Sequence, residues 1–194
     1  MKNSIKNIEA IVIGGSAGSF PIICAILEAL PHDFNIPILL SLHRLKNIRH
    51  GFKEALSIKS KNKVLEPSDK HKIKQNEILL APSNYHMYIE LNKSISLSTE
   101  EVINNSRPSI DLTFDSASYV YKSKLLAILL SGANKDGALG MYNAHKRGSY
   151  TIVQDPLDCT IDTMTKSALS LTEVNEILNV NEIKQLILSL YKGK

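Results

Sequence analysis

The stretch Ala10-Ile11-Val12-Ile13-Gly14-Gly15-Ser16-Ala17-Gly18-Ser19-Phe20 limits what this 194-residue chain can fold into more than any other. Its four apolar residues make a short buried strand, its glycines a tight turn, and the run from Phe20 to Leu30 a helix. Ser16 therefore sits at a strand-to-helix turn, inside Gly14-x-Ser16-x-Gly18. That is the pattern of a serine nucleophile elbow, in which small neighbours let the chain bend sharply enough to expose one hydroxyl. Glycine-rich turns after a first strand also bind phosphate or merely close a βα corner, so these residues alone assign no role.

The rest of the chain continues the alternation. Ile36–Leu42 reads as a second buried strand ending at His43, a helix follows from about Arg49 to Ser60, and Lys63–Glu66 is a third short strand. From Lys72 the rhythm changes: Ile78–Ala81 is stopped by Pro82, and Met87–Leu91 faces Ser94–Ser98 across the two-residue turn Asn92-Lys93, a hairpin signal. Ser106-Arg107-Pro108-Ser109 leads into a helix from about Ser109 to Tyr121. Leu125–Leu130 is the most strongly apolar run and reads as a central parallel strand, which breaks at Ser131–Gly137. A helix over Ala138–Lys146, a strand over Tyr150–Val153, a short helix at Met164–Leu169, a strand at Glu176–Leu178 and a helix from Glu182 to Tyr191 complete the chain. Strands alternating with helices predict a three-layer α/β/α fold: a doubly wound, mostly parallel sheet with helices on both faces and an antiparallel hairpin excursion.

Composition bounds the rest. With 43% hydrophobic and 22% charged residues, the chain is expected to form one globular domain over residues 1–194. The net charge of +4 is mild, and the densest lysines (Lys59, Lys61, Lys63, then Lys70, Lys72, Lys74) have no interleaved aromatic residues, so no nucleic-acid partner is expected. Cys24 and Cys159 form no C-x-x-C motif, and no histidine pair has metal-ligand spacing, which predicts neither a disulfide framework nor a metal. No run has a signal peptide's apolar core or the length of a membrane span, so no membrane insertion and a reducing cytoplasm are the expectation.

Ligands of open α/β sheets sit outside the carboxyl ends of the strands, and Ser16, His43 and the Asn134-Lys135-Asp136 loop all follow predicted strands. A serine hydroxyl needs an imidazole to take its proton, and the imidazole needs an acceptor to fix its tautomer and stabilise its charge. Ser16, His43 and Asp136 supply those functions from one rim. Each also has a plain structural alternative: Ser16 as a helix N-cap, His43 as a loop histidine, Asp136 as an Asp-Gly turn residue or N-cap. Asp155 also follows a strand and is the best alternative third member; Asp111, near a helix start, is explained by capping. The loop Gly14–Ser19 lacks the Gly-Lys-Ser/Thr ending of a P-loop and departs from G-x-G-x-x-G, which disfavours phosphate and dinucleotide binding.

Several motifs in order resemble the catalytic domain of chemotaxis protein-glutamate methylesterases of the CheB type. They are Ile13–Gly18, Leu42-His43, Leu79–Pro82 with His86, Ser106–Asp111, Leu130–Ala138, and Thr151–Asp155 followed by Cys159 and Met164. The resemblance implies Ser16 as nucleophile, His43 as base and Asp136 as orienting carboxylate, with backbone amides near Ala17 and Ala133 as an oxyanion hole. It further implies Arg107 and Met164 on the substrate side, no cofactor, and hydrolysis of glutamate γ-methyl esters on methylated chemoreceptors or a related signalling protein, with glutamine deamidation as a related activity. Family members commonly carry an N-terminal receiver domain. The expectation here is a stand-alone esterase, regulated through a separate response regulator, or an excised domain. The chain departs from the family at Ala17 (usually Thr), at Arg44-Leu45 (Met-Pro), at Gly132-Ala133-Asn134 (Gly-Met-Gly) and at Thr163-Met164-Thr165 (Gly-Met-Pro). Asparagine tolerates left-handed backbone, so Asn134 is expected to keep that loop's shape. These departures motivate a rival expectation, a non-catalytic receptor- or regulator-binding module on the same fold.

Overall fold

A computed structural model of the chain describes residue 5 and residues 7–44 and 51–191. The strands at its centre are near-continuous apolar runs: β1 (Ala10–Gly15), β2 (Ile38–Leu42), β4 (Glu77–Leu80) and β7 (Leu125–Leu129) are buried along their whole length. That is the pattern of a parallel sheet covered on both faces. With β3 (Lys63–Leu65), β8 (Tyr150–Gln154) and β9 (Glu176–Leu178) they form a seven-stranded sheet in the order β3-β4-β2-β1-β7-β8-β9, parallel throughout. The predicted α/β architecture is thus the observed one, and the chain enters at the middle of the sheet.

Alternate residues of each strand point to opposite faces. Ile11, Ile13, Leu40, Leu126 and Ile128 pack with α1 (Ser19–Ala29), α2 (Phe52–Lys59) and α6 (Val180–Ser189). Val12, Leu39, Leu79, Ala127 and Leu129 pack on the other side with α3 (Ile110–Tyr121), α4 (Ala138–Lys146) and α5 (Thr163–Leu171). The chain leaves β1 toward α1 on one face and leaves β7 toward α4 on the other. The carboxyl ends of β1 and β7 therefore flank the crevice where the winding reverses, the place where such folds bind ligands.

The predicted hairpin is present as β5 (His86–Ile89) and β6 (Ile95–Ser98), with one correction. A two-residue turn at Asn92-Lys93 pairs Leu91 with Ser94; instead Glu90 bonds Ser94, the turn is Leu91-Asn92-Lys93, and Lys93 takes the left-handed step at φ 59. The cause is the apolar pairing. The observed register sets Met87 opposite Leu97 and Ile89 opposite Ile95, whereas a one-residue slip sets Met87 opposite Ser98. Among the other boundaries that move, β2 starts at Ile38, because Pro37 has no N–H for a ladder, and α2 starts at Phe52 after Gly51. The predicted helix start at Arg49 and His50, and Leu45 after Arg44, lie outside the described residues.

Candidate active site

Ser16, His43 and Asp136 follow β1, β2 and β7, three neighbouring strands of the sheet. The register pairs Gly15 with Leu42, and the His43 N–H bonds Gly15 O at 3.1 Å, so the next step of both strands sets Ser16 beside His43. On its other side the Ser16 N–H bonds Ser131 O at 2.9 Å, at the exit of β7.

The glycines allow this approach. A Cβ on Gly14 falls 2.4 Å from Ile110 Cγ2 and 3.0 Å from Phe114 Cζ, so only glycine lets α3 lie this close to β1. The left-handed step of the elbow is at Gly18, φ 86, and not at Ser16. Gly18 is also the residue preceding α1, and no side chain caps that helix. The N-cap alternative for Ser16 therefore does not hold: its carbonyl accepts from Ser19 N and Oγ, and its half-buried hydroxyl makes no hydrogen bond among the described residues.

His43 is anchored through Nε2, 2.7 Å from Asp136 Oδ2, with 11% of the imidazole exposed and none of the carboxylate. A nitrogen facing a carboxylate carries the proton, which leaves Nδ1 as an acceptor. The hydroxyl at Nδ1 is that of Ser106, at 3.2 Å.

Asp136 is the most heavily bonded side chain of the site. Besides His43 it accepts from Ile110 N at 2.7 Å, Asp111 N at 3.2 Å, Ser109 Oγ at 2.9 Å and Asn104 Nδ2 at 3.3 Å. The first two are unpaired N–H groups of the α3 N-terminus, where a negative charge is favoured. Burial pushes the Asp136 carboxyl upward, but the His43 bond and the Ile110 and Asp111 amides outweigh it and hold the group below the usual carboxylate range. The alternative of Asp136 as cap of its own helix also fails. It caps α3, while Asp111, at the start of α3, accepts from Gly137 N at 2.8 Å and Gly140 N at 2.7 Å at the start of α4. The two carboxylates thus exchange helices. Burial, with the Asp136 charge adding, pushes Asp111 up to about 6 against those amides.

Of the supporting residues, the sequence pointed to Asn134 and gave His86 and Asn104 no role. His86, fully buried, accepts the Ser109 N–H at Nδ1 (3.1 Å) and donates from Nε2 to Glu101 O (2.9 Å), tying the start of α3 to the loop before it. Asn104 bridges Asp136 and Asp111. Asn134 keeps its loop in shape by a route other than the expected one: its backbone is not left-handed, and its side chain accepts Asp136 N (3.1 Å) and donates to Asn104 O (3.2 Å). The signals for His86 and Asn104 were the place of His86 among the ordered motifs and the density of Ser, Asn and Asp around Arg107, neither of which directs a side chain to a partner.

The remaining predicted residues fall as follows. Ala17 and Ala133 are exposed, and neither N–H has a partner among the described residues. The Arg107 guanidinium is held by Asn84 Oδ1 and by the Thr99 and Glu100 carbonyls. Met164 is fully buried, lies against Gly132, and its N–H bonds Gly132 O at 3.0 Å. The Arg44 side chain is covered by Glu66 Oε1 (2.6 Å), Ala81 O (2.7 Å) and the Phe52 ring. Asp155 caps a 3-10 turn through Leu157 N, away from His43's partners. Cys24 and Cys159 are unbridged, and burial raises both thiols, so neither is an activated nucleophile. Among the described residues no cluster of metal-binding side chains occurs, and no helix is long and apolar enough to cross a membrane.

A proton acceptor oriented by a buried carboxylate, beside a serine at the crevice of an α/β sheet, is the equipment of acyl transfer. Known proteins resemble the chain over most of its length. A family model described as CheB methylesterase matches residues 11–187. A relative from Leptospira interrogans serovar copenhageni, provisionally named a protein-glutamate methylesterase/protein-glutamine glutaminase, is 40% identical over 184 residues, 95% of each chain. The Clostridium acetobutylicum protein-glutamate methylesterase/protein-glutamine glutaminase is 30% identical over 98% of this chain and 55% of its own length. Among solved structures, the catalytic domain of the Thermotoga maritima CheB methylesterase superposes with a TM-score of 0.88 at 28% identity, over 95% of this chain and 99% of that one.

Proposed function

The chain belongs to the CheB methylesterase family, and from that premise and its rim geometry we propose that it hydrolyses glutamate γ-methyl esters on chemoreceptors through Ser16, His43 and Asp136. The observation that carries this reading is the 2.7 Å bond between His43 Nε2 and the buried Asp136 carboxylate, made beside Ser16 at the end of the adjacent strand.

In the proposed reaction Ser16 Oγ attacks the ester carbonyl while His43 Nδ1 accepts its proton. Asp136, kept ionised by its His43 bond and the α3 amides, stabilises the imidazolium without taking the proton. The carbonyl oxygen, now negative, is met by the Ala17 and Ala133 N–H groups, both without partners among the described residues. His43 returns the proton to the departing methoxide, then activates a water that attacks the acyl-enzyme and releases the glutamate side chain. The replacement of threonine by Ala17 removes a hydroxyl from the cleft and keeps the backbone N–H that this step uses. Deamidation of glutamine follows the same course with ammonia as leaving group. Arg107 and Met164 serve the substrate side through the loops they hold, the former residues 99–107 and the latter Gly132-Ala133. A cytoplasmic site of action, a receptor helix as substrate, control by a separate response regulator and a single catalytic unit complete the proposal.

Ser16→Ala should abolish methanol release from methylated receptor, and a fluorophosphonate should label the wild type on Ser16 and leave that variant unlabelled. Undiminished methanol release by the variant contradicts the mechanism. Receptor binding by a wild type that neither turns over nor labels supports instead a non-catalytic module on this fold.

A further inference from the structure

The proposed triad leaves one contact of the general base without a role. With Nε2 bonded to Asp136, Nδ1 is the single ring nitrogen through which a proton can move, and the Ser106 hydroxyl lies 3.2 Å from it. Its other neighbour, Asn104 O, is at 3.5 Å, the limit of a hydrogen bond, so Nδ1 is the better acceptor for its proton.

Ser106 is held there by a braced loop. Its N–H bonds Ile103 O at 2.8 Å and its carbonyl accepts Ile103 N at 3.2 Å. The next residue, Arg107, ties the loop to Asn84 and to the Thr99 and Glu100 carbonyls, and the following Pro108 is buried. Asn104, two residues before, bonds both buried carboxylates. The hydroxyl is thus carried on backbone fixed to the same network that fixes Asp136.

A single bond at Nε2 leaves an imidazole free to rock about the Nε2–Oδ2 line. A second contact at Nδ1 removes that freedom and aims the accepting lone pair. Nδ1 has one lone pair, so the hydroxyl donates to it only until Ser16 does; rotation about Cβ–Oγ frees the lone pair and turns the Ser106 oxygen into an acceptor for Nδ1–H. We propose that Ser106 is a positioning residue for the general base: it holds the His43 ring by donating to Nδ1 in the free protein, gives up that bond as the Ser16 proton arrives, and accepts from Nδ1–H while the proton resides there. This rests on the proposed triad. The glycine elbow supplies the nucleophile, and the loop before α3 supplies the orientation of the base.

The test uses Ser106→Ala, Ser106→Thr and the wild type, with methyl-ester turnover, fluorophosphonate labelling mapped by mass spectrometry, and 15N NMR of the His43 ring. Ser106→Ala should lower kcat roughly tenfold, the effect of one lost neutral hydrogen bond to the base, with KM within about twofold. It should slow labelling of Ser16 by the same factor and shift the His43 Nδ1 resonance, and Ser106→Thr should restore all three. If Ser106→Ala does not fold, Ser106→Thr alone decides: wild-type kcat and Nδ1 resonance support the assignment, and a loss as large as that of a non-hydroxyl residue overturns it. Wild-type kcat together with an unmoved Nδ1 resonance in Ser106→Ala overturns it, as does a fluorophosphonate adduct on Ser106. Failure of the functional reading is distinguishable, because a wild type without turnover or labelling still reports through its Nδ1 resonance whether Ser106 bonds the ring.

Discussion

Single residues here do work that their neighbours in sequence do not reveal, and the two buried aspartates show it best. Asp136 is ionised because amides and His43 meet it; Asp111, the second residue of α3 and next to that charge, is pushed up to about 6 chiefly by burial. The unfolded chain releases the Asp111 proton first, at its ordinary 3.8, so between about pH 4 and 6 the folded state holds more protons. This group's contribution to folding is therefore full at low pH and is lost as pH rises through about 6. Asp136 acts in the opposite sense, its stabilisation present above the usual carboxylate range and lost on acidification. Urea midpoints measured across pH 4 to 7 should fall more steeply with rising pH for the wild type than for Asp111→Asn. Parallel profiles for the two proteins contradict the assignment.

At the level of elements, the site depends on two helices that cap one another and on how closely one of them lies against a strand. The α3 N-terminus supplies the Ile110 and Asp111 amides to Asp136, and the α4 N-terminus supplies Gly137 and Gly140 amides to Asp111. Their depth is set by Gly14 of β1, where a methyl group meets Ile110 Cγ2 at 2.4 Å. Gly14→Ala therefore pushes outward the helix end that holds Asp136 in place. We expect a stability loss of about 1–3 kcal/mol, read from urea denaturation, with a fall in kcat that adding stabilising osmolyte does not restore. A variant of wild-type stability and turnover shows that α3 yields without moving the carboxylate. The register of the β5–β6 hairpin follows the same rule of contact: the apolar pairs Met87–Leu97 and Ile89–Ile95 decide it over the turn residues.

For the molecule as a whole, the site exists only where distant segments meet. His43 and Asp136 are 93 positions apart, and Ser16, Ser106 and Ser109 come from further stretches of chain. Two layers of helices sandwich a sheet whose middle strands carry the site, so loosening either layer moves the strand ends. If residues 1–194 form one cooperative unit, turnover and far-UV circular dichroism should be lost in superimposable urea transitions. Loss of turnover at clearly lower urea than loss of helix signal indicates that the rim opens independently, against a single unit.

The amino-acid sequence alone determined the alternation of strands and helices, because apolar runs bounded by glycine and proline are local and carry their own period. It placed Ser16, His43 and Asp136 on one rim, since Ser16 and His43 directly follow strands and Asp136 lies in the loop after another. It did not disclose which groups those side chains would meet. That Asp136 caps α3 and not α4, that Asp111 returns the exchange, that Asn134 shapes its loop by side-chain bonds, and that Ser106 sits on the base all follow from segments brought together across the sheet. Polar partners of this kind are selected by burial, where every N–H and carboxylate must be satisfied, and burial is a property of the folded molecule.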